Sequence, residues 1–188
     1  YLLITVILSL ILGTAYSLPP VRLKRFHFWA AFCIIAVRGL IVNLLLFTHF
    51  NYEINGEARI VPLVGLLTAI IFVYSVVIAW FKDMPDLSGD QVYGIRTLSL
   101  QIGTRQVFRI GNAFMGVLFA IVIALPYFVD FGVSKVALSS AHIFIACLLG
   151  LASRYVDFES SSSLFKYYQF IWVLFFLEYI VFGSLTLG

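Results

Sequence analysis

The 188-residue chain is 62% hydrophobic, 17% aromatic and 11% charged, with a mean hydropathy of +1.05, whereas an ordinary soluble domain carries roughly 25% charged residues. That composition excludes a soluble enzyme or binding module and describes a multi-pass membrane protein in a lipid bilayer, each helical crossing needing about 20 apolar residues. The net charge of +3 does not point to nucleic acid, because the basic residues segregate by membrane side instead of forming one basic stripe.

Six apolar runs are read as helices, at about 1–18, 27–50, 60–81, 107–128, 135–153 and 167–187. They predict an all-α, multi-span transmembrane helical bundle forming a single domain over residues 1–188. The first run opens on Tyr1 with no initiator methionine or leader ahead of it, so the chain is read as N-terminally truncated. Pro19-Pro20 ends this run, since proline lacks an amide donor and restricts the residue before it. Tyr16, Arg22, Lys24 and Arg25 surround that stop, offering a phenol and three cations to an anion; positive-inside anchoring is the plainer account of any one of the cations.

The second run carries Arg38 and Asn43. An arginine inside an apolar helix is expensive and normally faces a cavity or a partner, while Asn43 serves the same cavity or an interhelical hydrogen bond. Glu178 in the last run follows the same logic with opposite sign, and a structural Arg38–Glu178 pair is open. Cys33 and Cys147 sit in apolar runs as small hydrophobes, and His27, His49 and His142 show no ligand spacing and are read as interfacial or packed.

The third run ends in Lys82-Asp83-Met84-Pro85-Asp86-Leu87-Ser88-Gly89-Asp90, which places three of the nine acidic residues within eight positions. Such crowding is unfavourable unless a cation offsets the repulsion. Spacings of three and four let a helical or turn-like backbone bring Asp83, Asp86 and Asp90 to one side. Magnesium fits an open cluster of this kind, taking one or two carboxylates plus water and phosphate oxygens. Lys82 supplies a cation for phosphate and Gly89 loosens the backbone beside Asp90; a solvated acidic helix cap is the bland alternative. Arg96 either reaches phosphate or satisfies its own loop.

Each span reverses the side, so the loops after the first, third and fifth helices share one face. That face holds Arg22, Lys24, Arg25, Lys82, Arg96, Arg105, Arg109, Arg154 and Lys166, against Arg59 and Lys135 opposite; it is therefore cytoplasmic, or stromal in a plastid. Ser160–Ser163 is read as a short polar connection. No nucleophile elbow, P-loop, dinucleotide loop or HExxH occurs, which leaves metal-assisted chemistry on a diphosphate near lipid.

The block Tyr16–Arg25, the segment Phe32–Gly39, Lys82–Asp90, Gly94-Ile95-Arg96-Thr97 and Tyr168–Trp172 with Phe175–Tyr179 together resemble UbiA-type intramembrane aromatic prenyltransferases, within them the homogentisate phytyltransferase group of cyanobacteria and plastids. The resemblance implies a nine-helix fold of which about six helices are here, carrying the second of two aspartate-rich motifs. The first motif is missing, so this stretch alone is expected to be inactive although its parent is an enzyme. Ser88 departs from the acidic residue common there.

The implied reaction transfers phytyl from phytyl diphosphate to homogentisate with decarboxylation, on the route to tocopherol (vitamin E), in a cyanobacterial membrane or a plastid envelope or thylakoid. Asp83, Asp86 and Asp90 would hold Mg2+, with Tyr16, Arg22, Lys24, Lys82 and Arg96 on the diphosphate and Arg38 and Asn43 toward the aromatic acceptor. Ring attack on the allylic cation and loss of the carboxylate complete it. Homogentisate solanesyltransferase of plastoquinone synthesis is the near alternative; a cation transporter and a non-catalytic membrane subunit are the alternatives of another class. Nothing in the sequence fixes an oligomeric state.

Overall fold

The computed structural model describes residues 1–86 and 97–187. These form helices α1 (Leu2–Ser17), α2 (His27–Ile35), α3 (Phe47–Asn55), α4 (Pro62–Phe81), α5 (Leu98–Ile102), α6 (Thr104–Ala124), α7 (Lys135–Arg154) and α8 (Ser161–Leu187). An 11-residue π-helix, Ala36–Leu46, joins α2 to α3 in one rod. The described residues contain no strand, and the fold is all-α and multi-span.

Among the described residues, five stretches are long and apolar enough to cross a membrane: Phe28–Asn55, Pro62–Phe81, Thr104–Tyr127, Lys135–Arg154 and Ser161–Leu187. The sixth expected span, 1–18, is an apolar helix of 16 residues, shorter than the others. Outward stripes at helical spacing, such as Phe114, Val117 and Ile121 on α6 and Val173, Phe176 and Ile180 on α8, are exposed. A bilayer covers such apolar surface; water would not tolerate it.

The last helix starts earlier than the sequence suggested, at Ser161 instead of about 167. The serines of the supposed connection make its first turn: Ser160 Oγ accepts from Ser163 N at 3.2 Å, and Ser163 Oγ accepts from Asp157 N at 3.0 Å. The Ser160 hydroxyl satisfies one of the amides that every helix start leaves without a partner, and the Ser163 hydroxyl holds the incoming segment.

The chain divides into two compact units, Tyr1–Val76 and Val77–Gly188. In the first, α1 packs along α2 and the π-helix, and Tyr1 meets Tyr52 edge to face at 5.8 Å, so α1 runs antiparallel to the rod. Gly39 brings the π-helix close to α4, where a Cβ would stand 3.3 Å from Phe72 Cα.

In the second unit α6, α7 and α8 pack in sequence order. Ser139 Oγ donates to Ile123 O at 2.9 Å across the α6–α7 turn. Phe81, Met115, Phe119, Leu138, Ile145, Ile171 and Leu174 form a core with at most 2% exposure each. The Phe81 ring occupies the space a side chain at position 111 would need, because a Cβ on Gly111 would overlap it.

Candidate functional site

In the first unit, Pro19 and Pro20 follow α1 and are joined by a cis peptide bond. Behind them Leu23–Arg25 forms one 3-10 turn. Arg22 precedes it with φ 38° and ψ 59°, a left-handed conformation that costs a non-glycine residue about 1–2 kcal/mol. Its amide donates to Leu18 O at 2.8 Å and its carbonyl accepts from Arg25 N at 3.1 Å. Arg22 is half-buried and Lys24 and Arg25 are exposed, so the turn presents charge at the end of an apolar helix.

Tyr16 and Arg38 line one cavity of about 260 Å³ with Ser9, Gly13, Cys33 and Val37. Ser9, Gly13 and Tyr16 recur on α1 at spacings of four and three, a single helix face that the sequence itself displays. Asn43 is buried, and its Nδ2 donates to Arg38 O at 3.1 Å and to Gly39 O at 3.3 Å. The amide of Asn43 therefore binds the backbone of its own π-helix.

In the second unit, the chain leaves α4 through a turn held by Lys82 N to Ile78 O at 3.0 Å and Met84 N to Phe81 O at 3.2 Å. Met84 is buried beneath this turn at 1% exposure. Lys82 Nζ lies 3.8 Å from Asp83 Oδ1, Asp83 is half-buried and Asp86 is exposed. Ser161 Oγ donates to Pro85 O at 2.6 Å, tying the acidic turn to the first residue of α8. Below lie Phe81, Phe108 and Tyr167 with ring centroids 4.9–6.1 Å apart, and Tyr167 Oη bonds Asn112 Oδ1. The turn that carries Asp83 and Asp86 thus follows directly on Phe81, a member of this aromatic cluster.

Asp90 and Arg96 lie outside the described residues. Among those described, no three metal-binding side chains cluster. The donors Asp83 and Asp86 nevertheless suit magnesium, a hard cation content with one or two carboxylates and otherwise water or phosphate oxygens.

Glu178, for which the sequence leaves a pair with Arg38 open, meets His142, which the sequence reads as interfacial or packed. Glu178 Oε2 lies 3.0 Å from His142 Nε2, and both side chains are wholly buried between α7 and α8. The pair links residues 36 apart, beyond any local spacing, and reads as an interhelical lock.

An all-α, multi-pass membrane protein with a basic turn after one apolar helix and a lysine-aspartate turn after another is the class these features define. The chain belongs to the UbiA prenyltransferase family, whose profile matches residues 1–174. It is 44% identical over 186 residues to homogentisate phytyltransferase of Synechocystis sp., covering 95% of this chain and 58% of that protein. It is 38% identical to chloroplastic homogentisate phytyltransferase 1 of Arabidopsis thaliana, covering 92% and 45%. To the chloroplastic homogentisate solanesyltransferase of the same plant it is 33% identical, covering 90% and 45%. The chain thus spans about half the length of these curated relatives. No solved structure matches it.

Proposed function

We propose that the protein is a magnesium-dependent prenyltransferase that moves phytyl from phytyl diphosphate to homogentisate, with decarboxylation, in tocopherol synthesis. The observation that carries this is the meeting of family membership over residues 1–174 with a Lys82-Asp83-Asp86 turn at the end of an apolar helix. The two phytyltransferase relatives, at 44% and 38% identity, favour phytyl over the solanesyl donor named in the relative at 33%. Their sources favour a cyanobacterial or plastid membrane, with the active face cytoplasmic or stromal.

In this proposal Asp83, Asp86 and Asp90 hold the metal, and Lys82, Arg22, Lys24 and Arg96 contact the diphosphate with Tyr16 orienting it. Magnesium bound there supplies Lewis-acid stabilisation of the leaving diphosphate. The allylic C–O bond breaks and its electron pair leaves with the diphosphate. A ring carbon of homogentisate forms the new C–C bond and gives up its proton; the side-chain carboxylate departs as carbon dioxide while the methylene carbon takes a proton. Apolar helices around the site keep water from the allylic cation.

The test is competition between phytyl and solanesyl diphosphates in membranes holding the full-length protein, homogentisate and magnesium. Preferred phytyl transfer is expected. Preferred solanesyl transfer would move the protein to plastoquinone synthesis, and no transfer to homogentisate would refute the proposal.

A further inference from the structure

Helices α6 and α7 are tied at one end, where Ser139 Oγ donates to Ile123 O at 2.9 Å, and between them lies a crevice of about 410 Å³. Its apolar walls include Gly116 and Ala120 on α6 and Ala146 and Gly150 on α7, with the polar side chains of Asn112 and Ser153 at the opposite end. A Cβ on Gly116 or on Gly150 would meet nothing within 4 Å, so the packing of the two helices leaves this space unfilled. Between Asn112 and Ile123 the α6 wall rises 11 residues, about 16 Å at 1.5 Å per residue. That is about half of a hydrocarbon core roughly 30 Å thick, the depth of one leaflet.

Charge gathers at the polar end. Arg109 precedes Asn112 by three residues and Gly116 by seven, and Arg154 follows Gly150 by four, so helical register brings both arginines to the crevice face. Both are exposed, and among the described residues neither is ion-paired. Arg105, one turn before Arg109, is engaged elsewhere: its Nη2 lies 3.2 Å from Glu159 Oε1 and its guanidinium 5.4 Å from the Phe158 ring. Asp157, the other carboxylate of the α7–α8 connection, accepts from Glu159 N at 3.0 Å.

Shape and charge choose the occupant. About 410 Å³ spread over about 16 Å is a channel about 6 Å across, too narrow for a helix of about 10–12 Å and suited to a single hydrocarbon chain. A guanidinium binds phosphate bidentately, and basic pockets between membrane helices take the headgroups of acidic lipids. Positive-inside anchoring explains an arginine at either helix end; it does not explain an open cleft of leaflet depth beneath two of them. We propose that the α6–α7 crevice binds an anionic glycerophospholipid of the bilayer, one acyl chain lying along Gly116, Ala120 and Gly150 and the phosphate held by Arg109 and Arg154.

The test uses the full-length protein in phosphatidylcholine nanodiscs, with a bimane fluorophore on Cys147 and its other cysteines replaced by alanine. Cys147 is exposed on α7 beside Ala146, at the rim of the crevice. Phosphatidylglycerol with a doxyl quencher on its acyl chain is titrated in, and doxyl-phosphatidylcholine serves as the neutral control. The anionic lipid should quench at a mole fraction at least about tenfold lower than the neutral one. Arg109→Gln and Arg154→Gln should each weaken it about fivefold, the contribution of one basic residue beside an anionic lipid, and together abolish the preference. Gly116→Leu should remove the saturable quenching by filling the crevice with both arginines in place; Gly150→Leu does the same should the first variant not fold.

Equal quenching by the two lipids in the unaltered protein, or a preference indifferent to both arginines, would overturn the proposal. So would a preference that survives the filled crevice, which leaves surface attraction alone. Displacement by soluble glycerol phosphate would reduce the site to a headgroup pocket, displacement by phytyl diphosphate would make it a channel for the donor tail, and a dimer that Gly116→Leu dissolves would give the crevice to a second copy. Each of these overturns the lipid assignment, and none depends on transfer activity, so the proposed function stands or falls separately.

Discussion

Replacing Glu178 by leucine tests whether the buried His142–Glu178 pair locks α7 to α8. His142 Nδ1 lies 2.7 Å from Leu138 O, and a carbonyl only accepts, so Nδ1 carries a proton. Nε2 and Glu178 Oε2, 3.0 Å apart, then share one proton between them, whichever atom holds it. The rings of Phe119 and Phe182 lie 6.4 and 5.8 Å from the imidazole, and neither side chain of the pair is exposed to solvent. Glu178→Leu leaves Nε2 buried without its partner, which costs about 1–3 kcal/mol. Glu178→Gln keeps a donor for Nε2 and should cost less than about 1 kcal/mol.

Removing both polar groups, as His142→Phe with Glu178→Leu, should recover part of the loss, since hydrophobic replacement of a buried pair is often neutral. The coupling energy should reach the upper part of the range seen for interhelical bonds in membranes, about 0.6–1.7 kcal/mol. Reversible unfolding of the four proteins in bicelles, by denaturing detergent, measures this. A coupling below about 0.3 kcal/mol, within the error expected of independent sites, would refute the lock.

Two further variants probe the seat of the acidic turn. Gly111→Val should destabilise the second unit by about 1–3 kcal/mol through overpacking against Phe81, and the same unfolding assay would show no change if that contact is unimportant. Ser161→Ala removes the donor to Pro85 O and should cost no more than about 1.5 kcal/mol in stability. Its effect should appear as a raised magnesium requirement for transfer; an unchanged magnesium titration would deny Ser161 that role.

The apolar helices were legible because length and hydropathy alone identify them, as α4 and α6 illustrate. Their ends were less so. Ser160–Ser163 looks like a loop by composition, yet its hydroxyls and amides cap α8, a matter of geometry and not of polarity. The π-helix was invisible for a different reason: Ala36–Leu46 is as apolar as its neighbours, and the extra residue per turn leaves no compositional trace. Tyr16 and Arg38 were found singly, by charge and depth, while their shared cavity required α1 to be laid against the rod. The His142–Glu178 bond depends on the packing of α7 on α8 and so escapes any short-range motif. Lys82, Asp83 and Asp86 were readable because clustered carboxylates are conspicuous in so apolar a chain.

The central claim is tested most directly by magnesium-dependent transfer from phytyl diphosphate to homogentisate, comparing the full-length protein with its Asp83→Ala, Asp86→Ala double variant at equal folded amounts. Loss of a preorganised electrostatic contribution of this kind should cost at least about 100-fold in turnover, and chelation should silence the unaltered protein until magnesium is returned. Full turnover in the double variant would contradict the assignment of the metal site to these aspartates.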